Sequence, residues 1–160
     1  MIALVRCDDR LIHGQTMTVV VKDQKIDRII VVDDFTATNS VLKAVFKTAV
    51  PPSMHANVYT VDQAVPKIEA AMNDDVRTLV LKKSPEVYAQ LLEKVPNMPK
   101  ELNVGPMSKR KGTTEVHAAC HLLPKEAEAV KASVAKGAHI YFQQVPSQPR
   151  IEWADVEDRF

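Results

Sequence analysis

Residues able to do chemistry crowd into one short stretch near the N-terminus. Arg6-Cys7-Asp8-Asp9-Arg10-Leu11-Ile12-His13-Gly14-Gln15 carries four charges and a histidine within ten residues. His13 has three roles open to it: nucleophile, general base or metal ligand. A neutral imidazole keeps a free lone pair near neutral pH and can accept a phosphoryl group covalently, with arginines balancing the charge that arrives. Arg6 and Arg10 suit that guest, because a planar guanidinium offers fixed donors that match phosphate oxygens bidentately. Asp8 and Asp9 are candidates to hold one ring nitrogen as N–H, so that the other attacks. Two cations so close, with no second histidine at ligand spacing, argue against a metal. The competing reading is a plain surface histidine, and the density of charge around His13 is what weighs against it.

Such a cluster needs a scaffold. Ile2-Ala3-Leu4-Val5 is a continuous apolar segment, the signature of a strand buried on both faces, and it puts the charged stretch at the end of a first, central strand. Gly14 lets the chain turn without a Cβ penalty, and residues 15–21 are expected to form the next helix despite their threonines and valines. His13 then occupies a strand-to-helix loop. Parallel α/β sheets bind ligands at such loops, where N–H groups and the positive end of the following helix favour an anion. Gly14 and Gln15 are the corresponding phosphate-loop candidates.

The alternation continues along the chain. Residues 26–32 form a second β-branched run, ended by Asp33-Asp34, which suit the cap of the next helix. Residues 38–49 put Val41, Leu42, Val45, Phe46 and Ala49 on one helical face expected to lie on the sheet, and Pro51-Pro52 stops it. Further strands are expected at 55–60, 77–81, 101–104 and 138–145. Further helices are expected at 61–72, with Val65, Ile68, Ala71 and Met72 inward, at 85–94 behind Ser84-Pro85, and at 124–136 closed by Gly137. Asp62 is the expected cap of 61–72, with Pro66 in its first turn. This order specifies one α/β domain over 1–160, an open, mainly parallel sheet with right-handed crossovers and helices on both faces. The tail after Pro146, with Ile151, Trp153, Val156 and Phe160, reads either as a short packed helix or as a partner contact.

At 160 residues the chain suffices to bury about 70% of the surface its unfolded form exposes. Its net charge of +1 gives no case for nucleic-acid binding. Two cysteines are too few for a disulfide framework, so reduced thiols are expected. No stretch approaches the roughly 18 apolar residues of a membrane span, and Met1 leads straight into the first strand, which together predict a cytoplasmic protein with no membrane segment of its own. With four glycines and no Gly-rich fingerprint after the first strand, a nucleotide-binding enzyme is disfavoured and no cofactor is expected. His55 reads as a surface or strand-end residue. His117 and His121 fall in a segment read as one strand from 114 to 119 and beyond, where residues four apart stand well separated, so no metal is expected there either. Lys109-Arg110-Lys111 reads as a solvated basic turn before Gly112, or else as a docking patch for an acidic partner.

The run Arg-Cys-Asp-Asp-Arg-Leu-Ile-His-Gly-Gln resembles the phosphorylation-site motif of the IIB subunit of the mannose/fructose/sorbose family of the bacterial sugar phosphotransferase system. The resemblance extends over nearly the whole chain: Asp27-Arg28-Ile29-Ile30-Val31-Val32-Asp33-Asp34, Ala49-Val50-Pro51-Pro52, Leu102-Asn103-Val104-Gly105 with Met107, and Gln144-Val145-Pro146 also fit it. Pro106 departs from the pattern, standing where the family usually has a second glycine, and takes an N–H out of that loop. The resemblance implies a phosphotransferase that works as a phosphocarrier. A IIA partner, charged by the phosphocarrier protein HPr, would pass its phosphoryl group to His13, and His13 would deliver it to a sugar entering through the membrane components IIC and IID. Arg6 and Arg10 would steady the transferring oxygens, and Asp8 and Asp9 would orient His13 or the arginines. Such a protein would dock on the transporter from the cytoplasm. The sugar is left open among mannose, fructose, sorbose and amino sugars. A regulatory or interaction module of the same fold without turnover is the alternative, and the intact His13, Arg6 and Arg10 weigh against it.

Overall fold

The computed structural model describes residues 1–14 and 16–160; the Gln15 reading falls outside the described residues. The first strand, β1 (Ile2–Cys7), is followed by a π-helical turn (Thr16–Val20) that runs into the short helix α1 (Val21–Asp23). Next come β2 (Arg28–Val32), α2 (Asp34–Ala37), α3 (Ser40–Thr48), β3 (His55–Tyr59) and α4 (Val61–Met72). After β4 (Thr78–Lys82), α5 (Pro85–Lys94) and β5 (Glu101–Val104), a small hairpin forms from β6 (Thr114–His117) and β7 (Cys120–Leu122). The chain ends with α6 (Pro124–Ala135), β8 (His139–Phe142), β9 (Ile151–Glu152), α7 (Trp153–Val156) and a 3₁₀ turn, Glu157–Arg159.

Among the described residues the main sheet has seven strands in the order β3-β2-β4-β1-β5-β8-β9, parallel except for the β8–β9 edge. β1 and β4 lie in its middle, and all five residues of β4 are buried, as a strand covered on both faces requires. Alternate residues feed two cores. Val5, Cys7, Ile30, Val32, Val80, Val104 and Phe142 pack with α4, α5, α6 and α7, while Ile29, Val31, Leu79 and Leu81 pack on the other face with Leu11, Ile12, Val21 and Ile26. The parallel strands end on one edge, and the loops after β1, β4, β5 and β8 meet there.

Several expectations are corrected. The face of α3 carrying Val41 and Val45 is turned to solvent, at 70% and 54% exposure, and no residue of α3 is fully buried; Phe46 alone, with Val50 beyond the helix, packs against the second core from this segment. Helix α4 is capped not by Asp62 but by Thr60, whose hydroxyl takes the Gln63 N–H while the Gln63 side chain takes the Thr60 N–H. Pro66 therefore sits inside that helix, beyond its first turn. The segment around His117 and His121 is a hairpin that turns at Ala118-Ala119, not a single strand. The last parallel strand stops at Phe142, short of Val145, and the carbonyls of Gln143 and Gln144 beyond it accept from Arg6. The tail packs on the protein itself: Trp153 and Val156 are buried in the main core and Phe160 stacks on Trp153. No helix among the described residues is long and apolar enough to cross a membrane.

Candidate active site

β1 carries the charged stretch to the strand-end edge and fixes its first residues by the sheet. The Asp8 N–H continues the ladder onto Lys82 O at 2.9 Å, and the Asp9 N–H donates to Pro106 O at 3.1 Å. The chain then turns sharply. The turn is taken at Leu11, whose φ is +56°, rather than at Gly14. A branched side chain in the left-handed region is unfavourable, so something must hold it there. Burial does so: Leu11 is fully buried and Ile12 nearly so, both locked in the second core. With those two anchors inside, His13 is left at the rim, 16% exposed.

Asp8 is the hub of the site. It is fully buried. Its Oδ2 accepts from His13 Nε2 at 2.7 Å and from the Thr16 hydroxyl at 3.3 Å, and its Oδ1 accepts from the Arg10 N–H at 3.1 Å. Thr16 Oγ1 also lies 3.0 Å from His13 Nε2. An ionised carboxylate can only accept, so Nε2 carries the ring proton and Nδ1 keeps the lone pair. Among the described residues no hydrogen bond engages Nδ1.

Arg6 lies beneath this arrangement rather than at its surface. It is 2% exposed, its Nη2 stands 3.6 Å from Asp8 Oδ2, and it donates to Asn103 Oδ1, to Gln143 O at 3.2 Å and to Gln144 O at 2.8 Å. Gly105 makes room for it, since a Cβ there would lie 2.4 Å from Arg6 Nη2. Arg10, by contrast, is exposed on the same loop as His13. Asp9 is turned away from the imidazole: its carboxylate takes the N–H of Ser108 at 2.6 Å and the Ser108 hydroxyl. It thereby ties the His13 loop to the loop after β5, where the departure at Pro106 contributes a carbonyl.

Next to the site the strand ends bury further titratable groups. Lys82 is fully buried with its Nζ 3.5 Å from the carbonyls of Arg6 and Val80 and 5.4 Å from the Tyr88 ring centre, and burial pulls its pKa down to about 8. Burial pushes the Cys7 thiol up to about 12, which leaves it inert. Among the described residues no group of three or more His, Cys, Asp or Glu is arranged to hold a metal ion. His55 lies at the start of β3, at the opposite end of the sheet from His13. The basic turn divides: Lys109 and Lys111 are exposed, whereas Arg110 pairs with buried Glu126 at 3.0 Å and is structural. Thr16 is a site residue that the sequence reading misses, and Asn103 enters that reading only within the Leu102-Asn103-Val104-Gly105 match. Thr16 had a readable signal, three residues after His13 and so on one face of a helical turn.

A profile of the family described as "PTS system sorbose subfamily IIB component" matches residues 2–159. The chain belongs to that family. It is 30% identical over 149 residues to the sorbose-specific EIIB component of Lacticaseibacillus casei, covering 92% of this chain and 90% of that one. It is 32% identical over 155 residues to the mannose-specific EIIAB component of Escherichia coli (strain K12), but this chain spans only about half, 48%, of that longer relative. The crystal structure of the IIBSor domain of the sorbose permease from Klebsiella pneumoniae superposes with a TM-score of 0.90 at 28% identity, covering 99% of this chain and 97% of that one. The members of that family are IIB components of PTS systems.

Proposed function

We propose that this chain is a phosphocarrier: His13 accepts a phosphoryl group from a IIA partner and passes it to a sugar imported by membrane IIC and IID components. The observation that carries this reading is the hydrogen bond of 2.7 Å between His13 Nε2 and the buried Asp8 carboxylate. It leaves Nδ1 as the nucleophile at the rim, where two partners can reach it in turn. As Nδ1 bonds to phosphorus and the donor's P–N bond breaks, the ring gains positive charge, which Asp8 stabilises through Nε2–H. Arg10, exposed on the same loop, is the group to meet the phosphoryl oxygens. Arg6 is a positioning residue, holding Asp8 and the loop after β8, and Asp9 positions the loop after β5. Gly14 and Gln15 complete the phosphate loop in this reading. The phosphohistidine must stay reactive, which suits a shallow site open on one side.

The EIIAB relative joins a IIA and a IIB component under one name, which supports a IIA partner, and the family supports docking on a transporter at the cytoplasmic face. The whole of 1–160 acts as one IIB domain in this reading. The sugar is chosen by the membrane components. Incubation with phosphoenolpyruvate, enzyme I, HPr and a IIA protein is expected to add one phosphoryl mass to the parent and none to His13→Gln, with the circular-dichroism spectrum of the variant unchanged. Undiminished acid-labile phosphate on the variant would move the site to another histidine.

A further inference from the structure

The main sheet is covered unevenly. On one face Leu102, Val104, Ile140 and Phe142 of β5 and β8 are buried in the core with α5 and α6. On the other, Arg6 pairs with Asn103 and Asn103 with Tyr141 across the parallel strands, a polar row where the rest of the sheet is apolar. Above that row lies a pocket of about 310 Å³, bordered by α1 and the turn before it on one side and by the loop after β8 on the other. That volume is at the lower end of the range of about 300–1,000 Å³ found for small-molecule sites.

The walls of this pocket differ in chemistry. The strand and loop wall carries two guanidiniums. Arg150 lies with its guanidinium carbon 3.9 Å from the centre of the Tyr141 ring, and Arg6 lines the floor with a buried Nε that has no hydrogen-bond partner. A buried donor without an acceptor is unfavourable, and an oxyanion is the natural complement to the Arg150 guanidinium with the Arg6 Nε–H beneath it, the other Arg6 nitrogens being engaged within the protein. The helical wall carries Asp23 and Gln24, whose side chains are bonded to each other at 2.8 Å. A carboxylate beside a carboxamide repels a bare anion but accepts hydroxyl groups.

We infer that this pocket is a second binding site, separate from His13, for a small phosphate monoester of a polyhydroxylated compound such as a hexose. Arg150 and Arg6 take the phosphate, and Asp23 and Gln24 take hydroxyls. The site is wired to the reactive histidine: Arg6 Nη2 is 3.6 Å from Asp8 Oδ2, and the same oxygen is 2.7 Å from His13 Nε2. A ligand that draws the Arg6 guanidinium toward the pocket loosens its contact with Asp8 and alters how Asp8 holds the imidazole. By linkage, phosphorylation of His13 must change the affinity of the pocket by the same factor. That regulatory part rests on the reading of His13 as phosphoryl acceptor; the binding part does not.

The test is NMR on the full chain, following backbone amides and the arginine Nε–Hε signals while mannose 6-phosphate is added. Saturable shifts are expected at Arg6 Nε–H, Tyr141, Gln24 and Arg150, retained in His13→Gln. Arg150→Gln is expected to weaken binding by about tenfold or more while leaving phosphoryl acceptance without ligand unchanged. Free mannose should bind no better than background. Inorganic phosphate binding as tightly as the sugar phosphate would overturn the monoester assignment. Shifts confined to residues 10–14 and indifferent to Arg150→Gln would overturn the site itself. The coupling is read separately as equal changes in ligand affinity on phosphorylation and in phosphoryl acceptance on ligand binding, and equal affinity for both forms of the protein contradicts it. If His13 proves not to accept phosphate while Arg150-dependent binding persists, the pocket stands and the phosphocarrier reading falls.

Discussion

In the proposed transfer, the reactivity of His13 turns on one oxygen atom. Asp8 Oδ2 receives His13 Nε2–H and the Thr16 hydroxyl and sits 3.6 Å from Arg6, so charge and hydrogen bonding both converge on it. Asp8→Asn keeps the shape but offers a neutral group that can turn its NH₂ toward the ring and favour the wrong tautomer. Transfer from phospho-IIA to this variant is expected to slow by about 10²–10³-fold, with the fold retained, in rapid-quench kinetics. A rate equal to the parent's would show that Asp8 is only a structural partner of Arg6. From sequence, Asp8 and Asp9 were equivalent candidates for this task. Only the backbone just past β1 separates them: Asp8 still continues the ladder onto Lys82 and turns its side chain inward, whereas Asp9, the next residue, is drawn to Ser108. Arg6 and Arg10 likewise read alike in the sequence, yet one is buried under the site and the other exposed at the rim.

Elements whose apolar residues keep a clean period were readable. The buried strands β1, β4 and β5 and the helices α4, α5 and α6 fall close to the expected places, because continuous β-branched runs and proline starts leave little choice. What the sequence hid was covering. The α3 stripe has the spacing of a buried face, and nothing in a periodic pattern says whether another element will lie over it. The edge strand β9 was hidden for another reason: it is two residues long and is defined by its partners. His139 on β8 bridges Glu152 of β9 at 2.6 Å and Glu101 of β5 at 3.1 Å. Hydrogen bonds to Glu152 first, then to Glu101, raise its pKa above the ordinary imidazole value. The folded protein therefore holds this proton more tightly than the unfolded chain. The resulting stabilisation is fully present below the unfolded imidazole value of about 6.5 and is lost as pH rises through the folded one. Thermal melts of the parent and His139→Gln should differ at about pH 5.5 and converge by about pH 9. A gap that does not change with pH would contradict the bridge.

The whole molecule presents its candidate site on the strand-end edge and exposed apolar side chains on α2 and α3. Phe35 of α2 is 66% exposed, and Val41 and Val45 form an exposed i, i+4 ridge on α3. Both helices pack, through Ala37 and Phe46, against the same core that anchors Leu11 and Ile12 under His13. Exposed apolar groups of this kind suit a partner that, in the proposed relay, must come and go. Phe35→Ser with Val41→Ser and Val45→Ser should leave the melting temperature close to the parent's, since little burial is lost, yet weaken the complex with IIA by about tenfold or more in calorimetry. An unchanged affinity would place the IIA contact elsewhere on the rim. The central claim, that Asp8 fixes the imidazole so that His13 Nδ1 carries the phosphoryl group, is tested most directly by imidazole ¹⁵N NMR of the protein before and after phosphorylation through IIA. The account predicts a His13 Nε2–H tautomer in the resting protein and a phosphorus–Nδ1 bond afterwards. A phosphoryl group on His13 Nε2, or on any other histidine, would contradict it.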